Sequence, residues 1–158
     1  MSKSNSSSFF VGSLITSLVG AFLLVLEDFA GWYNYGYYAE SWGWIGLSID
    51  TPLAVALILV VVLALLYTSF ISVKGLQLKG EINKRTIRSG LIASSLAFVI
   101  VLVGAITFVV SILESEPSEW WFGAGFYGGL LGSGLTALLF FFQHRSPVEA
   151  NASGSTRP

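Results

Sequence analysis

Residues 51–73 read TPLAVALILVVVLALLYTSFISV, 23 residues without a charge. A transmembrane helix needs about 20 predominantly apolar residues. The stretch is rich in β-branched side chains, which in water favour strands. Its centre, Leu57–Leu66 (LILVVVLALL), has no period-two polar alternation, so it does not read as a barrel strand. The bilayer core offers no water, so the segment must satisfy its own backbone polar groups, and an α-helix does so. Pro52 suits the first turn of that helix, with Asp50 or Thr51 as its cap.

Working outward, three more uncharged windows appear: Phe9–Leu26 (18 residues), Leu91–Leu113 (23) and Trp120–Gln143 (24). All 17 charged residues of the 158-residue chain lie outside the four windows. Charged residues make up 11% against about 25% in soluble domains. With mean hydropathy of +0.75, that excludes a soluble globular domain and a disordered chain. The expected fold is an all-α integral membrane protein, a four-transmembrane-helix bundle with a small aromatic-rich extracytoplasmic cap. The expected layout is a flexible N-terminus (1–8), the transmembrane domain (9–143) and a flexible tail (144–158). Window one follows a single basic residue, Lys3, and exceeds the 7–15 apolar residues of a signal peptide, so it reads as a retained span.

Charge orients the bundle. The basic residues are Lys3, Lys74, Lys79, Lys84, Arg85, Arg88, Arg145 and Arg157, all in the N-terminus, the 74–90 loop or the tail. Glu27, Asp28, Glu40, Asp50, Glu114, Glu116 and Glu119 occupy the opposite side, with no basic residue among them. The positive-inside rule then predicts both termini in the cytoplasm of a plasma-type membrane. A net charge of −1 gives no basic field, so nucleic acid is not an expected partner. The expected partners are membrane lipids and either further copies of the chain or other membrane subunits. Gly75, Gly80 and Gly90 argue against one rigid helix through the basic loop.

The spans carry no ionisable residue, which argues against proton relays and ion-coupled transport and removes acid–base chemistry at membrane depth. Zero cysteines exclude disulfides, thiolate metal sites and cysteine nucleophiles. The one histidine, His144, reads as an interfacial anchor. No dinucleotide, phosphate-loop, HExxH, GxSxG or EF-hand pattern is present, so no catalytic, cofactor or metal residue is expected.

Small residues are the informative feature of the spans. Gly125, Gly129, Ser133 and Ala137 recur every four residues, beside a second row of Gly128, Gly132 and Thr136; Gly12, Thr16 and Gly20 do the same in span one. Such rows let helix backbones approach closely. Spans one, three and four are therefore expected to lie closest, with much of the bulky span two facing lipid. Packing within the bundle would use these rows; a spare row on span four would serve another subunit.

All five tryptophans (Trp32, Trp42, Trp44, Trp120, Trp121) and Tyr33, Tyr35, Tyr37, Tyr38 and Tyr127 lie on the acidic side. Partition to the membrane interface explains part of this. The sharper reading is an outer recognition face for an extracytoplasmic partner, made of Trp32, Tyr33, Tyr35, Tyr37, Tyr38, Trp42, Trp44, Trp120 and Trp121, because Trp and Tyr dominate interface hot spots. A weak repeat also shows. Val25-Leu26-Glu27-Asp28 leads to Trp32, and Ile112-Leu113-Glu114-Ser115-Glu116 leads to Trp120. It fits an ancestral hairpin duplication, but generic interface chemistry accounts for it more simply.

Four spans, termini on one side and an aromatic first outer loop resemble tetraspan membrane proteins in general. Trp44-Ile-Gly-Leu is similar to the tryptophan and Gly-Leu-Trp element of the claudin group. The paired loop cysteines of that group and the cysteine motif of tetraspanins are absent, so no membership or function carries over. The function expected is a non-enzymatic interaction protein, an accessory subunit of a membrane complex or a self-associating scaffold. The competing expectation is an oligomeric channel, or a carrier for a small apolar or lipid-like ligand.

Overall fold

The computed structural model describes residues 3–34, 37–38, 52–78, 82–115 and 117–145. Four helices, each long and apolar enough to cross a membrane, form the body: α1 (Lys3–Leu26), α2 (Pro52–Gln77), α3 (Lys84–Ser115) and α4 (Ala124–Arg145). Val and Ile do not divert α2 into a strand, because in lipid an unpaired strand edge has no water to satisfy it. α2 begins at Pro52, where a missing N–H costs nothing. Its cap falls at 50–51, outside the described residues. α3 starts behind Asn83, whose Oδ1 accepts the Arg85 N–H at 2.9 Å.

The helices form a closed ring, each antiparallel to its neighbours: α1 packs on α2 and α4, and α3 on the same two. α1 and α3 thus face each other across a diagonal. The expected close trio of spans one, three and four is not what forms. α2 is as buried as α4, each with 44% of its apolar window inside, while α3 at 22% is the span most given to lipid. The bulky centre of α2 is misleading. Thr68, Ser69, Ser72 and Gly75, one to three turns further on, are all buried and supply its close contacts.

Several boundaries move. Residues 3–8, expected in a flexible tail, are helical from Lys3. Gly75 and Gly90, expected in the loop, lie inside α2 and α3 and act as sockets. A Cβ on Gly75 would meet the Phe10 ring at 2.5 Å, and one on Gly90 the Phe140 ring at 2.9 Å. Trp120–Phe122, expected at the head of span four, form a strand instead.

That strand belongs to a three-stranded antiparallel sheet that the all-α expectation lacked: β1 (Ala30–Asn34), β2 (Tyr37–Tyr38) and β3 (Glu119–Phe122), in the order β2-β1-β3. β1 and β3 pair Ala30↔Phe122, Gly31↔Trp121, Trp32↔Trp120 and Tyr33↔Glu119. The two aromatic segments of the weak repeat are therefore partners, with Trp32 opposite Trp120.

The core divides along its length. Toward the sheet it is wholly apolar, around Leu24, Phe29, Val61, Val101, Phe108 and Phe126. Toward the other end it holds Phe10, Ile71, Ile87 and Phe140 together with buried Ser, Thr and Gln side chains.

Candidate functional site

At the sheet end, α1 hands the chain directly to α4. The Gly125 N–H donates to the Asp28 carbonyl at 3.0 Å, and the Gly123 N–H to that of Phe29 at 2.9 Å. Glycine is required there. A Cβ on Gly125 would lie 2.6 Å from the Glu27 carbonyl oxygen, and one on Gly123 would overlap that of Asp28. The sheet is thus fixed to the bundle at the start of both β1 and α4.

Side-chain alternation sorts the aromatic face. On the inner face of β3, Phe122 stacks on Phe126 at 4.2 Å and the Trp120 ring meets Phe108 edge-on at 6.3 Å. Trp32, opposite Trp120, packs against the main core. On the other face, the Trp121 ring covers Gly31, where a Cβ would sit 2.7 Å from it. An aromatic ring over a strand glycine substitutes for the missing side chain. Trp120 and Trp121 nevertheless stay 48% and 44% exposed.

Of the expected recognition face, the structure brings together Trp32, Tyr33, Trp120 and Trp121, and pairs the backbones of Tyr37 and Tyr38 with β1. Tyr35, Trp42 and Trp44 lie outside the described residues. Phe29, Phe108, Phe122 and Phe126 were not singled out, yet they anchor the sheet. Phe122 has a signal in the linear chain, as the end of Glu119-Trp-Trp-Phe after Pro117, a short aromatic run bounded by a turn residue; nothing in the sequence marks Phe29, Phe108 or Phe126.

The small residues form a second constellation, at the α1–α4 contact. Gly20 and Gly132 meet backbone to backbone: a Cβ on Gly132 would lie 2.7 Å from the Gly20 Cα and 2.9 Å from the Thr16 carbonyl oxygen. One turn on, the Thr16 and Thr136 hydroxyls are 2.8 Å apart, and Gly12 accepts the Leu139 side chain. Gly128 and Gly129 receive Leu23 and Leu24, and Ser133 is buried with its hydroxyl on the Gly129 carbonyl at 2.6 Å. Both rows of α4 are therefore taken up inside the chain, and neither Gly125–Gly129–Ser133 nor Gly128–Gly132–Thr136 is spare for a second subunit.

The α1–α2 contact uses hydroxyl pairs in place of glycines. Ser13 meets Ser72 and Ser17 meets Ser69, each at 2.7 Å. Ser69 and Ser72 also bond the carbonyls of Leu65 and Thr68, four residues back in α2. At the basic end Lys74 lies over the Phe70 ring (4.6 Å) and Arg145 over the Phe141 ring (4.5 Å), each a cation–π contact within its own helix.

One apolar crevice of ≈30 Å³ opens near the sheet end among Leu24, Phe29, Leu57, Ile58, Val61, Ile100, Val101 and Gly104. A pocket for a drug-sized ligand has about 300 Å³ or more. No family model, curated protein or solved structure matches the chain.

Proposed function

We propose that the chain is a non-enzymatic tetraspan protein of a plasma-type membrane, both termini cytoplasmic, acting through protein contacts at its sheet end. The orientation rests on charge: Lys74, Lys84, Arg85, Arg88 and Arg145 all lie at the end opposite the sheet. One observation carries the contact reading: the Trp120–Trp121 pair, presented about half exposed on a strand that the bundle holds rigid from both sides. Rigid, half-buried tryptophans present large contact area at little entropic cost. The partner is a second membrane subunit or another copy of the chain. The sheet would supply the contact, because the glycine rows of α4 serve the chain's own packing.

The test is native mass spectrometry of the complex in lipid, with the double variant Trp120→Ala/Trp121→Ala beside the natural chain. The expected result is additional polypeptide mass that the double variant loses while its helical circular dichroism shows the four-helix body still folded. A natural chain recovered as a bare monomer overturns the reading. A bound small apolar molecule would favour the second reading, a carrier or oligomeric channel, for which the Leu24–Gly104 crevice is the supporting observation; as it stands the crevice holds little more than a methyl branch or two.

A further inference from the structure

Among the described residues, Tyr67 is the one tyrosine at the basic end of the bundle; the others belong to the sheet end. Its ring is 45% exposed on α2, and its hydroxyl reaches across to that of Ser89 on α3, at 3.0 Å. Ser89 gives its own proton to the Thr86 carbonyl at 2.8 Å, so the Tyr67 O–H is the donor. The bond pins the seam between α2 and α3 at the outer surface of the bundle.

Helical spacing puts cations beyond that pair on both sides of the seam. Lys74 follows Tyr67 by seven residues, two turns on the same face, with its ammonium over the Phe70 ring. Arg85 precedes Ser89 by four residues, one turn on the same face, with Arg88 beside it; both are exposed. The two helices are antiparallel. At about 1.5 Å per residue, Lys74 stands about 10 Å and Arg85 about 6 Å beyond the hydroxyl pair, both toward the basic end. In the other direction the same faces continue as Leu63 of α2 and Ile92 and Leu96 of α3, all exposed. No described carboxylate offsets the cations: Glu27, Asp28, Glu114 and Glu119 lie at the sheet end. Lys79 and Glu81, outside the described residues, carry opposite charges and cancel.

We propose that the α2–α3 seam at the basic end binds an anionic phospholipid of the surrounding leaflet, with its phosphate on Arg85, Arg88 and Lys74 and an acyl chain along Leu63, Ile92 and Leu96. Charge and apolarity select this occupant together. Guanidinium groups pair with phosphate oxygens through two parallel N–H bonds, and the ammonium adds a point charge. A free anion would leave the apolar stripe unused. A zwitterionic lipid would bring its own cation toward the arginines. A headgroup rests on the surface, so the site needs no enclosed cavity. The hydroxyl protons of Tyr67 and Ser89 are both committed, so these two residues position the helices and do not hold the phosphate. The inference rests on the four helices lying in a bilayer and is independent of what the sheet end contacts.

The test is native mass spectrometry of the full chain in a charge-neutral detergent, titrated with dioleoylphosphatidylglycerol or dioleoylphosphatidylcholine. The first phosphatidylglycerol should bind more tightly than the first phosphatidylcholine. A basic residue close to an anionic lipid changes affinity roughly five-fold, so Arg85→Gln/Arg88→Gln should weaken that first phosphatidylglycerol about 30-fold. Both arginines are exposed, so their replacement leaves the fold intact. Lys3→Gln/Arg145→Gln removes the same charge from α1 and α4 and should change the affinity by no more than about two-fold. Glycerol phosphate, a headgroup without chains, should not displace the bound lipid. Equal weakening by both double variants would make the basic end a diffuse charged surface and overturn the site. So would equal affinity for the two lipids, or displacement by glycerol phosphate.

Discussion

Replacing Gly132 by alanine tests the central packing contact. The new Cβ would lie 2.7 Å from the Gly20 Cα and 2.9 Å from the Thr16 carbonyl oxygen. Carbon atoms pack best at about 3.5 Å or more, so α1 and α4 must part by roughly 0.8 Å. The obstructing atoms belong to another helix's backbone, and no rotamer change relieves them. Overpacking of this kind costs about 1–3 kcal/mol. The same separation would stretch the Thr16–Thr136 hydroxyl pair from 2.8 Å to the edge of hydrogen bonding. Losing it adds about 0.6–1.7 kcal/mol, the measured scale of interhelical hydrogen bonds in lipid. Alanine's better helix propensity returns about 1 kcal/mol. The net expectation is a loss of about 0.6–3.7 kcal/mol, read as reversible unfolding in a bilayer mimic. Gly104→Ala is the matched control. Its Cβ would meet only the Phe29 ring at 3.3 Å, and a ring can tilt, so it should be neutral or stabilising by up to about 1 kcal/mol. Equal stability of Gly132→Ala and Gly104→Ala would refute the backbone-to-backbone contact. Leucine at Gly132 or Gly129 would break the monomer itself, so loss of association in such variants would not identify an intermolecular surface.

A double-mutant cycle on Ser13 and Ser72, each to alanine, should show coupling of about 0.6–1.7 kcal/mol, and simple additivity would mean that the hydroxyls are not bonded across the helices. Phe140→Ala empties the Gly90 socket and should cost about 3–5 kcal/mol in the same unfolding assay, whereas Phe22→Ala, on the lipid face, should cost far less. The absence of native cysteine permits a clean topology measurement. A membrane-impermeant thiol reagent should label a Glu119→Cys variant in intact cells and an Arg145→Cys variant only after lysis; the converse would reverse the orientation.

Residue by residue, some features were plain in the linear chain. Four helices followed from four uncharged runs, because the bilayer imposes length and apolarity on each span separately, whatever its neighbours do. Other features were hidden. Glu119-Trp-Trp-Phe reads equally as a helix start at the interface or as a strand, and only pairing with Ala30–Tyr33 selects the strand. Gly75 reads as a loop residue until the Phe10 ring is seen filling its place.

The sequence by itself determined that the chain has four segments long and apolar enough to cross a membrane, and which ends carry the basic and acidic charge, since those depend on local segments alone. Only the tertiary structure decided which helices touch. It placed α2 inside the ring through Ser69 and Ser72, set α1 and α3 across a diagonal, and used both glycine rows of α4 internally. It also left the Gln143 amide buried without a hydrogen-bond partner. In lipid every helix face is apolar, so hydropathy cannot rank neighbours. The choice falls to close-range backbone contact and hydrogen bonding, which exist only once the helices are side by side.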